Sequence, residues 1–443
     1  MTTREQNELL TRTGPGTAGG GMMRRYWLPV GLSGDVTREA GPLPMRILSE
    51  NLVLFRDENG RVGLLQRNCP HRRADLSYGR IEDGGLRCLY HGWLWDVKGN
   101  CLEQPAEPPE STYKDKVKAL SYPCREIAGL IFTYMGAGEP PVFPMYSCYD
   151  APPAHRWVMR APLDCNYLQG LEGNIDPAHL SYLHRPMGRV DERNVPGSDK
   201  SADMYYAEDR RPHLDLEDTD YGIRIFSIRR AGEDKQYVRV TNFILPCLAA
   251  IVGNEGRVNE GYAMHWHVPI DDYHHFRYDL VHNRVRPIDH AKYNARFATR
   301  TGPDGVTERM LANRYLQSRG AMQTENFTGM GPSFNVHDAF AVESMGPISE
   351  REHEHLATTD RIIVRARRQL LDAIRDVADG KEPRGVLRDP AASDCSHMVV
   401  LSEVVPSSLD YKSVWKNRIV TRTAAVVRDG AALRQAQDRA SSP

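Results

Sequence analysis

The sequence predicts an α+β chain, with a small all-β domain followed by a larger domain of long strands and helices. Three observations predict it. Between about residues 44 and 135, short apolar runs alternate with Gly, Asn and Asp turn signals. Residues 203 to 285 alternate like longer strands, and Thr359 to Ala378 places apolar residues at three- and four-residue steps. At 443 residues the chain exceeds one ordinary core, so two or three domains are expected.

Residues 1–26 open with a short polar helix. Gly14-Pro15-Gly16 and Gly19-Gly20-Gly21 then read as a flexible or turning segment before Arg24-Arg25-Tyr26-Trp27. The first domain, 27–150, carries strands at Met45 to Leu48, Leu52 to Phe55, Val62 to Leu65 and Gly129 to Tyr134. Asp57-Glu58-Asn59-Gly60 is a hairpin turn between two of them, because Asn-Gly supplies positive φ cheaply. Prolines at 140, 141, 144, 152 and 153 mark the domain edge. The second domain, 151–430, begins with a helix over 165–190 and includes strands at Tyr237 to Leu245 and Tyr262 to Val268. Residues 431–443 are expected to be a frayed tail, polar from Leu433 to Pro443. The chain has no internal repeat at a solenoid-like period.

Composition excludes several classes of partner. The formal net charge is −1, from 57 basic and 58 acidic residues, which gives no electrostatic reason to expect nucleic acid or an anionic membrane. No run approaches the roughly 18 apolar residues of a membrane helix. Met1 to Leu10 has no apolar signal core, so a cytoplasmic protein is expected. Eight cysteines are few for this length and call for no disulfide framework; in a reducing compartment they are buried, metal-binding or reactive.

The strongest local signal is Cys69-Pro70-His71, then sixteen residues, then Cys88-Leu89-Tyr90-His91. Two thiolates and two imidazoles suit either zinc or an iron–sulfur centre. Each loop offers one Cys and one His, so two irons can be divided into a Cys₂ end and a His₂ end, which defines a Rieske cluster. A structural zinc knuckle is the competing reading, although such knuckles more often use Cys-x-x-Cys. Cys69-Pro70-His71-Arg72-Arg73-Ala74 and Cys88-Leu89-Tyr90-His91-Gly92-Trp93 closely resemble the two ligand loops of Rieske proteins. That resemblance gives Gly92 the role of letting backbone pass close to a cluster, with Tyr90 and Trp93 shielding it from water.

A second constellation lies in Glu172-Gly173-Asn174-Ile175-Asp176-Pro177-Ala178-His179-Leu180-Ser181-Tyr182-Leu183-His184. His179 and His184 are five apart, a turn of roughly 140° on a regular helix. They can bind one metal only if the helix is distorted or they enter from different turns. A two-His-one-carboxylate site on Fe(II) needs a third ligand. Asp338 is the choice here, with His337 and Glu343 as competitors; an Asp beside a helix can equally be an N-cap.

Taken together, the cluster loops, the Asp-x-x-His-x-x-x-x-His block and the later Asp resemble the Rieske non-haem iron oxygenases. More closely, the chain looks like the α subunit of the phthalate dioxygenase-like group, which includes O-demethylases. Leu168-Gln169-Gly170-Leu171-Glu172-Gly173, Val268-Pro269-Ile270-Asp271-Asp272 and Glu343-Ser344-Met345-Gly346-Pro347-Ile348 are similar to stretches typical of that group. The resemblance implies an N-terminal Rieske [2Fe–2S] domain joined to a helix-grip catalytic domain, in a homotrimer or homohexamer. It implies one cluster on Cys69, His71, Cys88 and His91, and one Fe(II) on His179, His184 and Asp338. Asp176 would be the electron bridge to a cluster histidine of the neighbouring subunit; followed by Pro177, it also reads as a helix N-cap, and the two roles are compatible.

On that resemblance, a separate reductase of flavin or ferredoxin type supplies electrons, and O₂ is used to hydroxylate or O-demethylate an aromatic substrate. Substrates of the group are often carboxylates, which suit a bidentate guanidinium. Arg239, Arg210 and Arg211 are the candidates; the bland alternative is solvated strand and loop residues. His265 and His267 share one face of a strand and read as core or pocket-lining residues. His274, His275, His353 and His355 read as surface residues. No phosphate-cradling glycine motif or flavin or nicotinamide fingerprint is present, which places those cofactors on the reductase. The alternatives are a Rieske electron carrier or sensor without oxygenase turnover, and a zinc-dependent structural protein.

Overall fold

A computed structural model describes residues 2–187, 195, 198, 200–253, 260–297 and 308–416. The tail expected from residue 431 lies outside the described residues. Helix α1 (Arg4–Thr11) is fixed by a reciprocal cap: the Thr3 hydroxyl accepts from the Gln6 amide, and the Gln6 side chain accepts from the Thr3 amide. The glycine triplet, expected to be a flexible segment, is instead helical, in α2 (Ala18–Met23). Glycine serves close packing there, since a Cβ on Gly20 would lie 2.3 Å from the Gly14 carbonyl oxygen. Met22 and Met23 follow it into the main core.

Three small antiparallel sheets come next. Leu43–Ile47, Glu50–Arg56, Val62–Gln66 and Ser121–Tyr122 form one; Arg80–Glu82, Gly85–Arg87, Leu94–Trp95 and Cys101–Glu103 form another; Leu130–Tyr134 lies between Trp27–Leu32 and Cys124–Ile127 in the third. The expected hairpin turn forms: Gly60 takes φ +79°, and the Asp57 carboxylate accepts from the amides of Asn59 and Arg61. Val53, Phe55, Leu65, Leu86, Trp93 and Trp95 make a separate small core that also buries Cys69 and Cys88.

The second half is built on one eight-stranded antiparallel sheet. Its strands are β1 (Arg156–Leu163), β2 (His213–Asp218), β3 (Gly222–Arg230), β4 (Lys235–Ile244), β5 (Leu248–Ile251), β6 (Ala263–Pro269), β7 (His275–His282) and β8 (Leu401–Pro406). The order is β1-β7-β6-β5-β4-β3-β2, and β4 meets β8 over residues 235–240 before it meets β5 over 242–244. Part of the stretch expected to be strand is helix α4 (Ala202–Glu208). It buries the adjacent Tyr205 and Tyr206, which a strand would send to opposite faces.

The helix expected over 165–190 is much shorter, α3 (Tyr167–Ile175), followed by a single tight turn at His179–Ser181. Pro177 is the cause: a residue before proline is driven out of the helical region, and Asp176 sits at φ −85°, ψ 113°. Asp176 therefore ends a helix, correcting its reading as an N-cap. Helix α3 packs on β6 and on α5 (Phe334–Glu343), while α6 (Arg361–Ala378) packs on α2. Gly170 sets the approach of α3, because a Cβ there would fall 2.4 Å from His267 Nδ1 and 2.6 Å from His275 Nε2. His275, expected at the surface, is thus fully buried under α3, bonded to the Cys165 carbonyl (2.7 Å) and facing His267 (3.0 Å). His274, His353 and His355 are exposed as expected.

Candidate metal centres and substrate pocket

Two loops of the N-terminal half are closed in the same way. Cys69 N–H donates to the Ala74 carbonyl (2.8 Å) and the Cys69 carbonyl accepts from Arg73 (2.9 Å). Cys88 N–H donates to the Trp93 carbonyl (2.9 Å) and its carbonyl accepts from Gly92 (3.0 Å). Each loop reverses at its fifth residue in the left-handed region, Arg73 at φ +64° and Gly92 at φ +74°. The reversals bring the thiols of Cys69 and Cys88 together and set the rings of His71 and His91 4.5 Å apart. The contact between the two thiols pulls Cys88 down against the effect of burial and pushes Cys69 up in return. Trp93 is buried and lies flat on His71 at 4.3 Å. Tyr90 leans on His91 at 3.9 Å but is more than half exposed, so of the two expected shields Trp93 is the buried one. His91 Nδ1 is buried without a hydrogen-bond partner. A buried orphan nitrogen, beside a pair of thiols and a second imidazole, fits an iron–sulfur cluster bound by these four residues.

In the second half, His179, His184 and Asp338 each bring one ligand atom within 4.8 Å of the others. The break after α3 resolves the awkward five-residue spacing, because the two histidines leave from different turns. Asp338 lies inside α5, so it is no N-cap. Its Oδ1 is 2.9 Å from His184 Nε2. Burial alone would raise the Asp338 carboxyl, but His184, His179 and Arg277 hold it far below the usual carboxylate range. Two histidines and a carboxylate are the donor set of an open-sided Fe(II) site, so the residues fit the metal. Of the competing ligands, Glu343 is turned away, accepting from Tyr315 Oη and the Asp164 amide. His337 stands behind His184, with its Nδ1 3.3 Å from His184 Nδ1.

Asp176 Oδ1 accepts from the Ala178 amide (2.7 Å), and Oδ2 lies 3.7 Å from His179 Nδ1. Burial would lower His179, but the Asp176 carboxylate raises it above the ordinary imidazole value.

The three residues open onto a cavity of about 420 Å³. Leu180, Ile251, Val252, Ala263, Val281 and Phe334 give it apolar walls. Arg239, on β4, reaches it from the sheet; it is 8% exposed and donates through Nη1 to Tyr206 Oη at 2.6 Å. Its Nε has no hydrogen-bond partner, and among the described residues no carboxylate lies within ion-pair distance of it. Arg210 and Arg211 are corrected: both are exposed and neither lines the cavity, Arg210 lying over the Tyr182 ring instead. The Asp209 carboxylate holds that segment outward by accepting from the amides of Arg211 and Arg230.

Sequence reasoning missed Arg277, which binds both oxygens of Asp279 (2.9 and 2.7 Å), reaches Asn335 and lies 3.7 Å from Asp338 Oδ2. A signal existed: Arg277 and Asp279 alternate onto one face of β7. Asp279 also accepts from His265 Nδ1 (2.6 Å), so the pocket-lining reading of His265 holds with a charged partner added. His267 is buried, bonded to Asn174 (2.7 Å), and burial drives its pKa well down.

Residues 26–121 match the Rieske [2Fe-2S] domain family, and residues 133–431 match the family described as LigXa C-terminal domain like. The phthalate 4,5-dioxygenase oxygenase subunit of Pseudomonas putida is 36% identical over 91% of this chain and 93% of its own length. The chain belongs to the Rieske non-haem iron oxygenases. The 5,5'-dehydrodivanillate O-demethylase oxygenase subunit of Sphingobium sp. (strain NBRC 103272 / SYK-6) is 33% identical, over 88% of this chain and 85% of that one. Among solved structures, dicamba monooxygenase bound to dicamba shares the fold at a TM-score of 0.58 and 19% identity, covering 81% of this chain and 99% of that one. As a Rieske oxygenase component, the protein is an oxidoreductase that works with a Rieske [2Fe–2S] cluster, a mononuclear iron and electrons from a separate protein. Among the described residues, no helix is long and apolar enough to cross a membrane.

Proposed function

We propose that this Rieske oxygenase hydroxylates or O-demethylates an aromatic carboxylate, held by Arg239 beside an iron bound by His179, His184 and Asp338. The observation that carries the reading is the buried Arg239 guanidinium, unpaired with any described carboxylate and facing the same cavity as the three candidate ligands. A buried cation is costly unless something neutralises it, and an anionic ligand would do so in the right place. Arg277 is already committed to Asp279.

When bound, the iron supplies dioxygen activation and the cluster supplies single electrons. The chain's own residues do the rest. Arg239 and Tyr206 fix one end of the substrate, and the apolar walls exclude water from the reacting end. Asp176 lies beside His179 at 3.7 Å and its side chain is 26% exposed, which suits a contact across a subunit boundary. Leu89 and Tyr90, exposed beside His91, suit a covered face in the assembled enzyme. In this reading the cluster ligands are Cys69, His71, Cys88 and His91, the assembly is a trimer or pair of trimers, and the electron donor is a flavin- or ferredoxin-type reductase in the cytoplasm.

The test is metal and acid-labile sulfide analysis of anaerobically purified protein, with visible and EPR spectra. Benzoates, phthalates and methoxybenzoates are then screened for reductase-dependent oxygen uptake. About three irons and two sulfides per chain are expected, with turnover of carboxylates but not of their methyl esters. Equal turnover of acids and esters would remove Arg239 from substrate recognition.

A further inference from the structure

The feature behind the iron-site histidines is the chain of contacts from His184 through His337 to the backbone carbonyl of Gly331. His337 Nε2 lies 2.8 Å from the Gly331 oxygen, and His337 Nδ1 lies 3.3 Å from His184 Nδ1. His184 Nε2 points the other way, 2.9 Å from Asp338 Oδ1. The ring of His184 is stacked on Phe334 at 4.4 Å, so it cannot turn without unstacking. Gly331 is itself held, its carbonyl accepting also from Asn326 Nδ2 at 3.0 Å.

These contacts fix where the ring protons sit. A carbonyl oxygen only accepts, so His337 Nε2 carries a proton. A metal ion on His184 takes the lone pair of Nε2, which leaves the ring proton of His184 on Nδ1. Among the described residues, the partner aimed at that proton is His337 Nδ1, which is bare when its own ring proton is on Nε2. Each contact then has one donor and one acceptor, from His184 through His337 to Gly331. His184 and His337 are both nine-tenths or more buried, so water is a poor substitute for either.

We infer that His337 is a positioning residue: it fixes the tautomer and the ring orientation of His184 so that Nε2 faces the metal. The inference rests on the reading of His184 as a metal ligand, and the experiment separates the two. Full-length protein is stripped of its mononuclear iron by mild chelation with the cluster retained, then titrated anaerobically with Co(II) against a chromophoric chelator. The cluster absorption spectrum reports that each variant is folded.

The substitution His337→Phe removes the acceptor and should weaken Co(II) binding by about 10- to 100-fold, the usual effect of losing an outer partner of a ligating histidine. His337→Asn, whose side-chain carbonyl can accept, should recover most of the affinity. His184→Ala should abolish binding. Wild-type affinity in His337→Phe, with binding lost in His184→Ala, would overturn the role of His337 and leave the ligand assignment intact. Wild-type affinity in His184→Ala would overturn the assignment itself. Should His337→Phe lose its cluster spectrum, Co(II)-substituted wild-type protein decides the matter by proton NMR. Because Asp176 can protect the N–H of His179, slowly exchanging, hyperfine-shifted N–H signals are required from both ligating imidazoles, and fast exchange of the His184 N–H refutes the inference.

Discussion

Replacing Arg239 by Met should weaken carboxylate binding while leaving the protein at least as stable. Arg239 is buried, donates one hydrogen bond to Tyr206 Oη, leaves its Nε unused and has no described carboxylate partner. A hydrogen bond to a charged group contributes about 1.5 to 3 kcal/mol. Loss of the guanidinium–carboxylate contact should therefore raise KM by roughly 10- to 100-fold, equal to about 1.4 to 2.8 kcal/mol. Folding should respond in the opposite sense. An unpaired buried charge opposes folding, and Met fills similar space along β4 without one. Tyr206 Oη keeps Tyr237 Oη as a partner at 3.1 Å after the substitution. The assay is KM for reductase-coupled oxygen uptake, a direct calorimetric Kd for the acid and its methyl ester, and the thermal midpoint. An unchanged KM refutes the reasoning. So does a large fall in melting temperature, which would make Arg239 a structural residue.

Three further outcomes are expected. Asp176→Asn should retain both metal sites by elemental analysis yet slow single-turnover electron transfer sharply; normal single-turnover rates would exclude the bridge. Glu172, its side chain 13% exposed, lies between Arg351 (3.0 Å) and Arg367 (2.6 Å). Glu172→Gln leaves Arg367 its pair with Glu354 but strips fully buried Arg351 of that carboxylate, and should cost about 3 to 5 kcal/mol, read as a lower denaturant midpoint. Burial works against the Glu172 carboxylate, but the two arginines hold its pKa below the ordinary value. The stability it contributes is therefore complete above the usual carboxylate range and is lost as pH falls through its depressed pKa; a variant with wild-type acid sensitivity would contradict this.

The cluster loops were legible because their information is local. Each reverses within five residues, and Cys69, His71, Cys88 and His91 announce themselves by type and spacing. The candidate iron site was legible only in pieces. His179 and His184 stand at a spacing no regular helix uses, and Pro177, which breaks the helix, converts that spacing into convergence. Asp338 comes from a distant helix, so nothing near it in sequence distinguishes it from Glu343. His337 stands out in the sequence as a competing ligand but not as a partner of His184, since that contact depends on how α5 packs against the turn after α3. The glycine triplet misled because permissive backbone and close packing select the same residue, and only the position of the Gly14 carbonyl oxygen tells them apart.

Arg229 ties the substrate side of the cavity to the turn that carries Asp176 and His179. It is almost completely buried on β3, donating to the Pro177 carbonyl (3.0 Å), the Ser181 hydroxyl (3.4 Å) and the Asp209 carbonyl (3.0 Å). Its guanidinium also lies 4.8 Å from the centre of the Tyr206 ring, the ring whose hydroxyl accepts from Arg239. Two cations thus share one aromatic residue, one facing the cavity and the other holding the turn. Spatial intermediacy alone does not establish energetic coupling, so the test is a double-mutant cycle. With Arg229→Met and Arg239→Met, measured on Kd for a carboxylate substrate, groups sharing a partner should differ from additivity by about 0.5 kcal/mol or more. Additive losses would mean that Tyr206 separates the substrate site from the turn.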